Sequence, residues 1–109
     1  MVNGSTHQSL TITGAFCSDV MKILSDATRL SVVELLLDRP LRVHELNAVL
    51  KLEPTLLSHH LRILRDAGLV IARREGKAVL YRLSPEIRKN GRSSSLNFGC
   101  CKLQFKRHG

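Results

Sequence analysis

The sequence predicts a mainly α-helical domain with a small β-hairpin, and three observations lead to that prediction. Apolar residues recur at helical spacing between residues 15 and 67, and the period then changes to two. The chain has 109 residues, the size of one domain or of one domain with an arm. It contains no Trp, one Tyr and three Phe, so its core must be built mostly from Leu, Val and Ile.

Each of the first three helices is predicted from a single apolar face. The inward residues are Phe16, Val20, Ile23 and Leu24 on the first helix (residues 15–26), Leu30, Val33, Leu36 and Leu37 on the second, and Val43, Leu46, Val49 and Leu50 on the third. Pro40 ends the second helix because proline lacks the N–H that a helix interior needs. Asp26 or Thr28 is expected to cap the start of that helix.

A fourth helix and a hairpin follow. The helix covers the segment "EPTLLSHHLRILRDAG", begins at Pro54 or Thr55, and ends at Gly68, which readily takes the left-handed conformation after a helix. Its inward residues are Leu57, Leu61 and Leu64. The hairpin strands are predicted at Leu69–Arg73 and Ala78–Leu83, with a turn over residues 74–77. Two short helices, a tight connection, a longer helix and a basic hairpin define a winged helix-turn-helix.

The last part of the chain is predicted to be a linker and a tail. The segment "SPEIRKN" indicates a short helical turn capped by Ser84, and "NGRSSS" has the composition of a linker. In "LNFGCCKLQF" the apolar alternation slips at Gly99–Cys100, which predicts a short strand with a bulge. We therefore expect a flexible arm over residues 1–14, a folded domain over residues 15–90, and a linker with a cysteine-containing tail over residues 91–109.

The charge of the chain is concentrated in its second half. The formal net charge is +8; residues 1–60 hold five basic and six acidic side chains, whereas residues 61–109 hold twelve and three. Such a distribution is typical of a surface that faces a polyanion. RNA binding is disfavoured because the aromatic residues that stack on bases are missing.

Other function classes find little support in the sequence. No Gly-rich phosphate loop or pair of carboxylates accompanies the Cys and His residues, so we expect that the chain is not an enzyme. The longest apolar run, "VVELLL", is too short to cross a bilayer, and the N-terminus does not resemble a signal peptide. We expect a cytoplasmic protein without a membrane partner.

The fourth helix and the hairpin provide the candidate DNA contacts. A helix that enters the major groove, about 12 Å wide, needs small or hydrogen-bonding side chains near its N-terminus. On these grounds the candidates are Thr55, Ser58, His59 and Arg62 on the helix and Arg73, Arg74 and Lys77 on the hairpin, with Arg65 also suited to the DNA backbone. His60, Arg29 and Asp26 are expected to have structural roles: a buried or hydrogen-bonded histidine, an intramolecular partner and a helix cap.

Three stretches of the chain resemble the ArsR/SmtB family of bacterial metal-sensing repressors. They are "LSDATRLSVVELLL" at the entry to the second helix, "SHHLRILRDAGLV" in the fourth helix and "RREGKAVLYRL" in the hairpin, and together they cover about residues 20–84. The resemblance implies a homodimeric repressor that binds an inverted-repeat DNA operator and releases it when a ligand binds. It also implies that Thr55, Leu56, Ser58 and His59 lie at the bases, with Arg74 and Lys77 on the wing.

The ligand is expected to bind sulfur. The third helix lacks the Cys-rich pattern of the founding arsenic sensors, and the final helix that carries zinc ligands in other members is shortened here, so a zinc site is not expected. The remaining candidates are Cys17 and the Cys100–Cys101 pair, in segments that the resemblance places at the dimer interface, where thiols can meet within one subunit or across two. Three thiolates suit a soft ion such as trivalent arsenic or antimony, so arsenite or antimonite is the expected inducer, without a catalytic cofactor.

A second interpretation of the same cysteines remains open. Exposed thiols react with peroxide or persulfide, and Cys17 can form a disulfide with either tail cysteine. The chain is then a redox or persulfide sensor of the same fold. A structural disulfide framework is not expected, because cytoplasmic thiols stay reduced. Cys17 taken alone also fits as a small apolar residue of the first helix.

Overall fold

The computed structural model describes residues 14–88 and 94–106. The elements are α1 (Gly14–Leu24), α2 (Ala27–Leu36), β1 (Leu41–Arg42), α3 (Val43–Leu50), α4 (Pro54–Asp66), β2 (Val70–Glu75), β3 (Ala78–Leu83), β4 (Ser95–Asn97) and β5 (Lys102–Gln104). The four expected helices and the expected basic hairpin are all present. The predicted fold class, a winged helix-turn-helix, is confirmed.

Local hydrogen bonds explain where α2 and α4 begin. Asp26, one of the two expected caps, accepts a bond from the N–H of Arg29 at 3.0 Å through its Oδ1 atom. At the start of α4, Glu53 Oε1 accepts bonds from two backbone N–H groups, and Pro54 occupies the first turn, where no N–H is required. Gly68 follows α4 with φ of +79°, the left-handed conformation that was predicted for it.

The connection between α3 and α4 is held by one asparagine. Asn47 accepts a bond from the N–H of Leu52 at 2.8 Å and donates a bond to its carbonyl at 3.0 Å. Lys51, between them, takes the left-handed conformation with φ of +55° and ends α3. These contacts close the tight turn that sets the angle between the two helices.

The wing (residues 70–83) is the main part of a three-stranded antiparallel sheet with order β1-β3-β2. Its turn is shorter than predicted, because β2 continues to Glu75 and only Gly76 and Lys77 lie outside the strands. Gly76 has φ of +60°, which a two-residue hairpin turn favours. The strand β1 was not predicted, since two residues leave no periodic signal; Leu41 pairs with Tyr81 there.

The core contains the predicted inward residues of α4 and, apart from the partly buried Leu30, those of α2; one predicted inward residue of α3 is exposed. The buried members of the core are Val20, Val32, Val33, Leu36, Leu37, Leu41, Leu46, Leu57, Leu61, Leu64, Leu69, Val70, Tyr81, Leu83, Ile87, Leu96, Phe98 and Phe105. Val49 was predicted to point inward, but 59% of its surface is exposed, because α3 packs through Leu46 and has only a narrow buried face. The side chain of Phe16 lies outside the described residues.

The predicted strand with a bulge is wrong, since residues 94–106 form a second hairpin, called here the cysteine hairpin. Its strands β4 and β5 pair with Leu96 opposite Leu103. The slip in the alternation marks a turn: Gly99 has φ of +92°, and the N–H of Phe98 bonds to the carbonyl of Cys101 at 2.9 Å. Leu96 and Phe98 bury their side chains in the core, so this segment is a packed part of the domain.

The ends of the folded domain can be compared with the expected boundaries where residues are described. Gly14 already belongs to α1, whereas the rest of the expected arm, residues 1–13, lies outside the described residues. Residues 85–87 form a turn in which the N–H of Glu86 bonds to Ser84 Oγ at 3.3 Å. Residues 89–93, with most of the expected linker, are also outside the description. Within the described ranges, no helix combines the length and apolar character needed to cross a bilayer.

Candidate functional site

The exposed side of α4 forms a polar surface, called here the reading face. Its residues are Thr55, Leu56, Ser58, His59, Arg62 and Arg65, and all of them are exposed. The opposite side of the helix is buried and packs on α2 and β2. Five of these residues line an open concavity of about 540 Å³, which Tyr81 of the wing completes. Tyr81 was not among the predicted site residues; it lies on β3, opposite Leu41 of β1 and Ala72 of β2.

A cluster of polar side chains, called here the polar cluster, lies on the side of α4 opposite the reading face; His60 is buried, whereas Asp26 and Arg29 are partly exposed. Arg29 Nη1 lies 3.1 Å from His60 Nδ1, and Arg29 Nε donates a bond to the carbonyl of Ile23 at 2.9 Å. Asp26 Oδ1 lies 4.0 Å from the same His60 nitrogen. The backbone N–H of Arg29, with the positive charge of its guanidinium, lowers the pKa of Asp26 below its ordinary value against the effect of burial. These side chains therefore link the end of α1 to the buried side of α4.

The wing presents basic side chains that differ in their partners. Arg73, Arg74 and Lys77 are all exposed, as a surface for phosphates requires. Arg73 Nη2 lies 3.3 Å from Glu75 Oε2, and the other carboxylate oxygen of Glu75 accepts a bond from Arg42 at 3.0 Å. Arg74 and Lys77 form no ion pair within residues 14–88 and 94–106. Part of the Arg73 charge is thus compensated within the protein.

The three cysteines meet at one place, called here the sulfur cluster. Cys17 on α1, Cys100 in the turn of the cysteine hairpin and Cys101 beside it have sulfur atoms that all lie within 4.8 Å of one another. The contact is within one chain, which was one of the two arrangements expected. Cys17 is 9% exposed, Cys101 is half-buried and Cys100 is exposed. The cluster therefore has a closed side at α1 and an open side at the hairpin turn.

Two members of the sulfur cluster are paired as a disulfide. Cys17 and Cys100 are bonded through sulfur with their Cα atoms 6.6 Å apart, a separation that a disulfide permits. Cys101 remains a free thiol, and its sulfur lies 4.0 Å from that of Cys100. A structural disulfide framework was not expected, but a disulfide between Cys17 and a tail cysteine is the pairing that the redox interpretation allowed. The reason is tertiary: the packing of the cysteine hairpin on the core brings its turn against α1.

The donor set of the cluster contains sulfur alone. Among the described residues, no histidine or carboxylate joins the three cysteines to form a larger ligand group. A structural zinc site takes four ligands, so three sulfur atoms fit it poorly. Soft ions that bind three thiolates fit this set when the cysteines are reduced. The cluster can thus do two kinds of chemistry, ligand binding by three thiols and disulfide formation by two.

The similarity to known proteins lies in the helix-turn-helix part of the chain and not in the sulfur cluster. The profile of bacterial regulatory proteins of the arsR family matches residues 26–72, which run from the cap of α2 into β2 and include none of the three cysteines. The arsenical resistance operon repressor of Escherichia coli K12 is 45% identical over 69 residues, which are 62% of this chain and 59% of that protein. The chain therefore spans about three-fifths of the length of this relative.

Solved structures resemble the chain as well. Reduced HlyU from Vibrio cholerae superposes on this chain with a TM-score of 0.62 at 40% sequence identity. The match covers 64% of this chain and 74% of the HlyU chain. A second match is a homodimeric winged helix-turn-helix DNA-binding domain from Mycobacterium bovis, described as a possible regulator of the ArsR family. It has a TM-score of 0.60 at 31% sequence identity, and the match covers 64% of this chain and 65% of that domain. The Escherichia coli protein is named as a repressor and the Mycobacterium bovis domain as a possible transcriptional regulator, in agreement with the expectation that the chain is not an enzyme.

Proposed function

The chain belongs to the arsR family of bacterial regulatory proteins, and from that premise we propose that it is a homodimeric, DNA-binding repressor with a sulfur-bound inducer. It binds an inverted-repeat operator in the cytoplasm. It releases the operator when trivalent arsenic or antimony, supplied as arsenite or antimonite, binds Cys17, Cys100 and Cys101. The observation that carries the proposal is the meeting of these three sulfur atoms within 4.8 Å.

DNA binding is supported by the character of the reading face and the wing. Thr55, Ser58 and His59 are exposed hydrogen-bonding side chains on the N-terminal half of α4, where base edges of a major groove can be read. Leu56, 44% exposed, offers apolar contact to a thymine methyl group. The basic residues proposed to contact phosphates are Arg62 on α4 and Arg73, Arg74 and Lys77 on the wing.

Association of two chains is supported by apolar surface on α1. Met21 exposes 60% of its surface, and a groove of about 440 Å³ between α1 and α4 is lined partly by Val20, Ile23 and Ile63. Apolar surface of this kind favours an interface between proteins. A second copy fits because two related recognition helices, about 34 Å apart, match the two halves of an inverted repeat.

The inducer is assigned from the donor set. Three thiolates without an adjacent imidazole or carboxylate favour an ion that accepts sulfur alone, and trivalent arsenic and antimony do so. The similarity to the arsenical resistance operon repressor supports the same assignment. Each trivalent centre exchanges three oxygen ligands for three sulfur ligands and releases three waters, without a change in oxidation state.

The polar cluster offers a path from the sulfur atoms to DNA. Cys17 and Ile23 lie on the same helix, and Arg29 joins the Ile23 carbonyl to His60 on the buried side of α4. A change in the position of α1 when Cys17 is drawn toward the hairpin therefore alters the support of α4. A tenfold to hundredfold loss of operator affinity needs only about 1.4–2.7 kcal/mol of coupling.

The proposal is tested with the reduced double variant Cys100→Ser/Cys101→Ser. We expect this variant to bind operator with wild-type affinity and to stay bound when arsenite is added, because only one thiol remains. Lys102→Ala, an exposed change on the same hairpin that keeps all three thiols, is the matched control and should still respond. Loss of operator binding by the reduced double variant would make these cysteines structural, and release by arsenite would exclude them as ligands.

A second candidate function is thiol-based sensing of peroxide or persulfide. The observation that favours it is the pairing of Cys17 and Cys100 as a disulfide. A regulator of this type changes its operator affinity on oxidation and does not respond to arsenite under reducing conditions. Parallel titrations with arsenite and with hydrogen peroxide on the same DNA distinguish the two functions.

A further inference from the structure

We propose that the sulfur cluster is gated by its own oxidation, so that a hydroperoxide abolishes the binding of the metalloid inducer. This inference rests on the proposed function and adds a second input to the same site. Its basis is that Cys100 takes part in both chemistries: it is one of the three grouped sulfur atoms, and it is also the partner of Cys17 in the disulfide.

The oxidised cluster retains a single thiol. The disulfide removes Cys17 and Cys100 as thiolate donors and leaves only Cys101. One thiol cannot supply the three sulfur ligands of trivalent arsenic. The chain has no cysteine beyond these three, so no other residue can replace the lost pair. Disulfide formation and inducer binding therefore exclude each other.

The burial of the cysteines sets the order of the oxidation steps. Cys100 is exposed, whereas Cys17 is nearly buried, so the hydroperoxide reaches Cys100 first. Cys100 thiol becomes a sulfenic acid while the peroxide is reduced to an alcohol, or to water for hydrogen peroxide. The thiol of Cys17 then displaces hydroxide from the Cys100 sulfur, which forms the disulfide and releases one water. In sum, two thiols lose two electrons and two protons, and the O–O bond accepts them.

Cys101 distinguishes arsenite binding from disulfide formation, because it takes part in only the first. Its sulfur lies 4.0 Å from that of Cys100, near enough to serve as the third ligand, but it has no part in the Cys17–Cys100 disulfide. Cys101→Ser should therefore keep the oxidation of the other two cysteines and weaken arsenite binding in the reduced protein. We expect at least a tenfold increase in the arsenite dissociation constant of this variant.

The experiment measures arsenite binding to the full chain without DNA, by equilibrium dialysis. Reduced protein, protein oxidised with one equivalent of hydrogen peroxide, and oxidised protein reduced again with a phosphine are compared after desalting. Thiols are counted under denaturing conditions, and we expect three, one and three. Tryptic digestion of the oxidised protein should join the peptide of residues 1–22 to that of residues 93–102, and the same link in Cys101→Ser would assign it to Cys100.

The expected result is one arsenite per chain for the reduced and re-reduced protein and none for the oxidised protein. Equal arsenite binding before and after oxidation would overturn the gating alone. A disulfide within residues 93–102, without the link to residues 1–22, would overturn the assignment of the gating disulfide to Cys17 and Cys100. Reduced protein that binds no arsenite would overturn both the gating and the proposed function. These outcomes can be told apart because oxidation and arsenite binding are measured separately.

Discussion

The reading face and the sulfur cluster lie in one small domain, but they are built in different ways. The reading face occupies consecutive turns of α4, and each of its residues is placed by the helix that carries it. The sulfur cluster joins Cys17 to Cys100, which are 83 residues apart, through the docking of a separate hairpin. The family profile matches residues 26–72 and includes only the first region. The profile therefore describes the helix-turn-helix part of the chain and does not include the sulfur cluster.

The largest expected effect concerns the attachment of the cysteine hairpin. Leu96 of the cysteine hairpin and Leu64 on the buried side of α4 are both fully buried. Leu96→Ala and Leu64→Ala should each lower the free energy of unfolding by about 2–5 kcal/mol, because each removes a core side chain and leaves a cavity. Urea unfolding of the reduced protein, followed by circular dichroism, measures both changes.

The opposite result is expected if the cysteine hairpin does not unfold cooperatively with the helical core. Leu96→Ala would then leave the main transition unchanged, while Leu64→Ala would shift it. In that case the sulfur cluster would not be anchored by packing, and the proposed link from Cys17 to α4 would lose its basis.

A smaller effect is expected on DNA affinity, for which a basic residue of the wing can be compared with a basic residue of the cysteine hairpin. Arg74→Ala should reduce the slope of log affinity against log salt by about 1, because one phosphate contact is lost. Lys102→Ala, which removes the same charge from the cysteine hairpin, should leave the slope unchanged. Arg73→Ala should have less effect than Arg74→Ala, since Glu75 already compensates part of its charge. Equal slopes for Arg74→Ala and Lys102→Ala would contradict the assignment of this phosphate contact to the wing.

The smallest effect concerns Asp26, which lies between the regions at the end of α1. Asp26→Ala should destabilise the protein by about 1 kcal/mol at neutral pH, because the cap of α2 is lost. The pKa of Asp26 is lowered in the folded state, so this contribution is present above the ordinary carboxyl pKa and is lost as the pH falls through the lowered pKa of the folded state.

Urea midpoints at several pH values test this prediction. Asp19→Ala, which removes an exposed carboxylate from α1, is the control and should change the free energy of unfolding by less than about 0.5 kcal/mol. A destabilisation by Asp26→Ala that persists unchanged at low pH would contradict the proposed role of its charge.

The surface of α4 could be predicted from the sequence because it depends on local spacing, whereas the sulfur cluster depends on long-range packing. Helical spacing was enough to predict that Leu57, Leu61 and Leu64 point inward, and hence which side of α4 is exposed. It failed for Val49, because the width of a buried face depends on the neighbouring elements, and it could not detect β1. The spacing within α4 also separates His60 from His59, and the structure gives His60 the buried role that was expected.

The local sequence pattern could not determine the structure of the cysteine hairpin. The sequence marked Gly99 and Cys100 as a break in alternation, but a bulge and a turn both fit such a break. The turn forms because Leu96 and Phe98 reach the core, which is a long-range contact. The three cysteines were selected because they are the only thiols in the chain, whereas the Cys17–Cys100 pairing followed only from the packed structure.

The central claim is that the sulfur cluster controls the reading face. It is tested most directly by titrating arsenite into the fully reduced protein bound to labelled native upstream DNA, with fluorescence anisotropy as the readout. We expect the DNA to be released at about one arsenite per chain, the stoichiometry of a single three-sulfur site. Anisotropy that stays at the bound value while the protein takes up arsenite would contradict the claim, because ligand would then bind the cluster without affecting DNA.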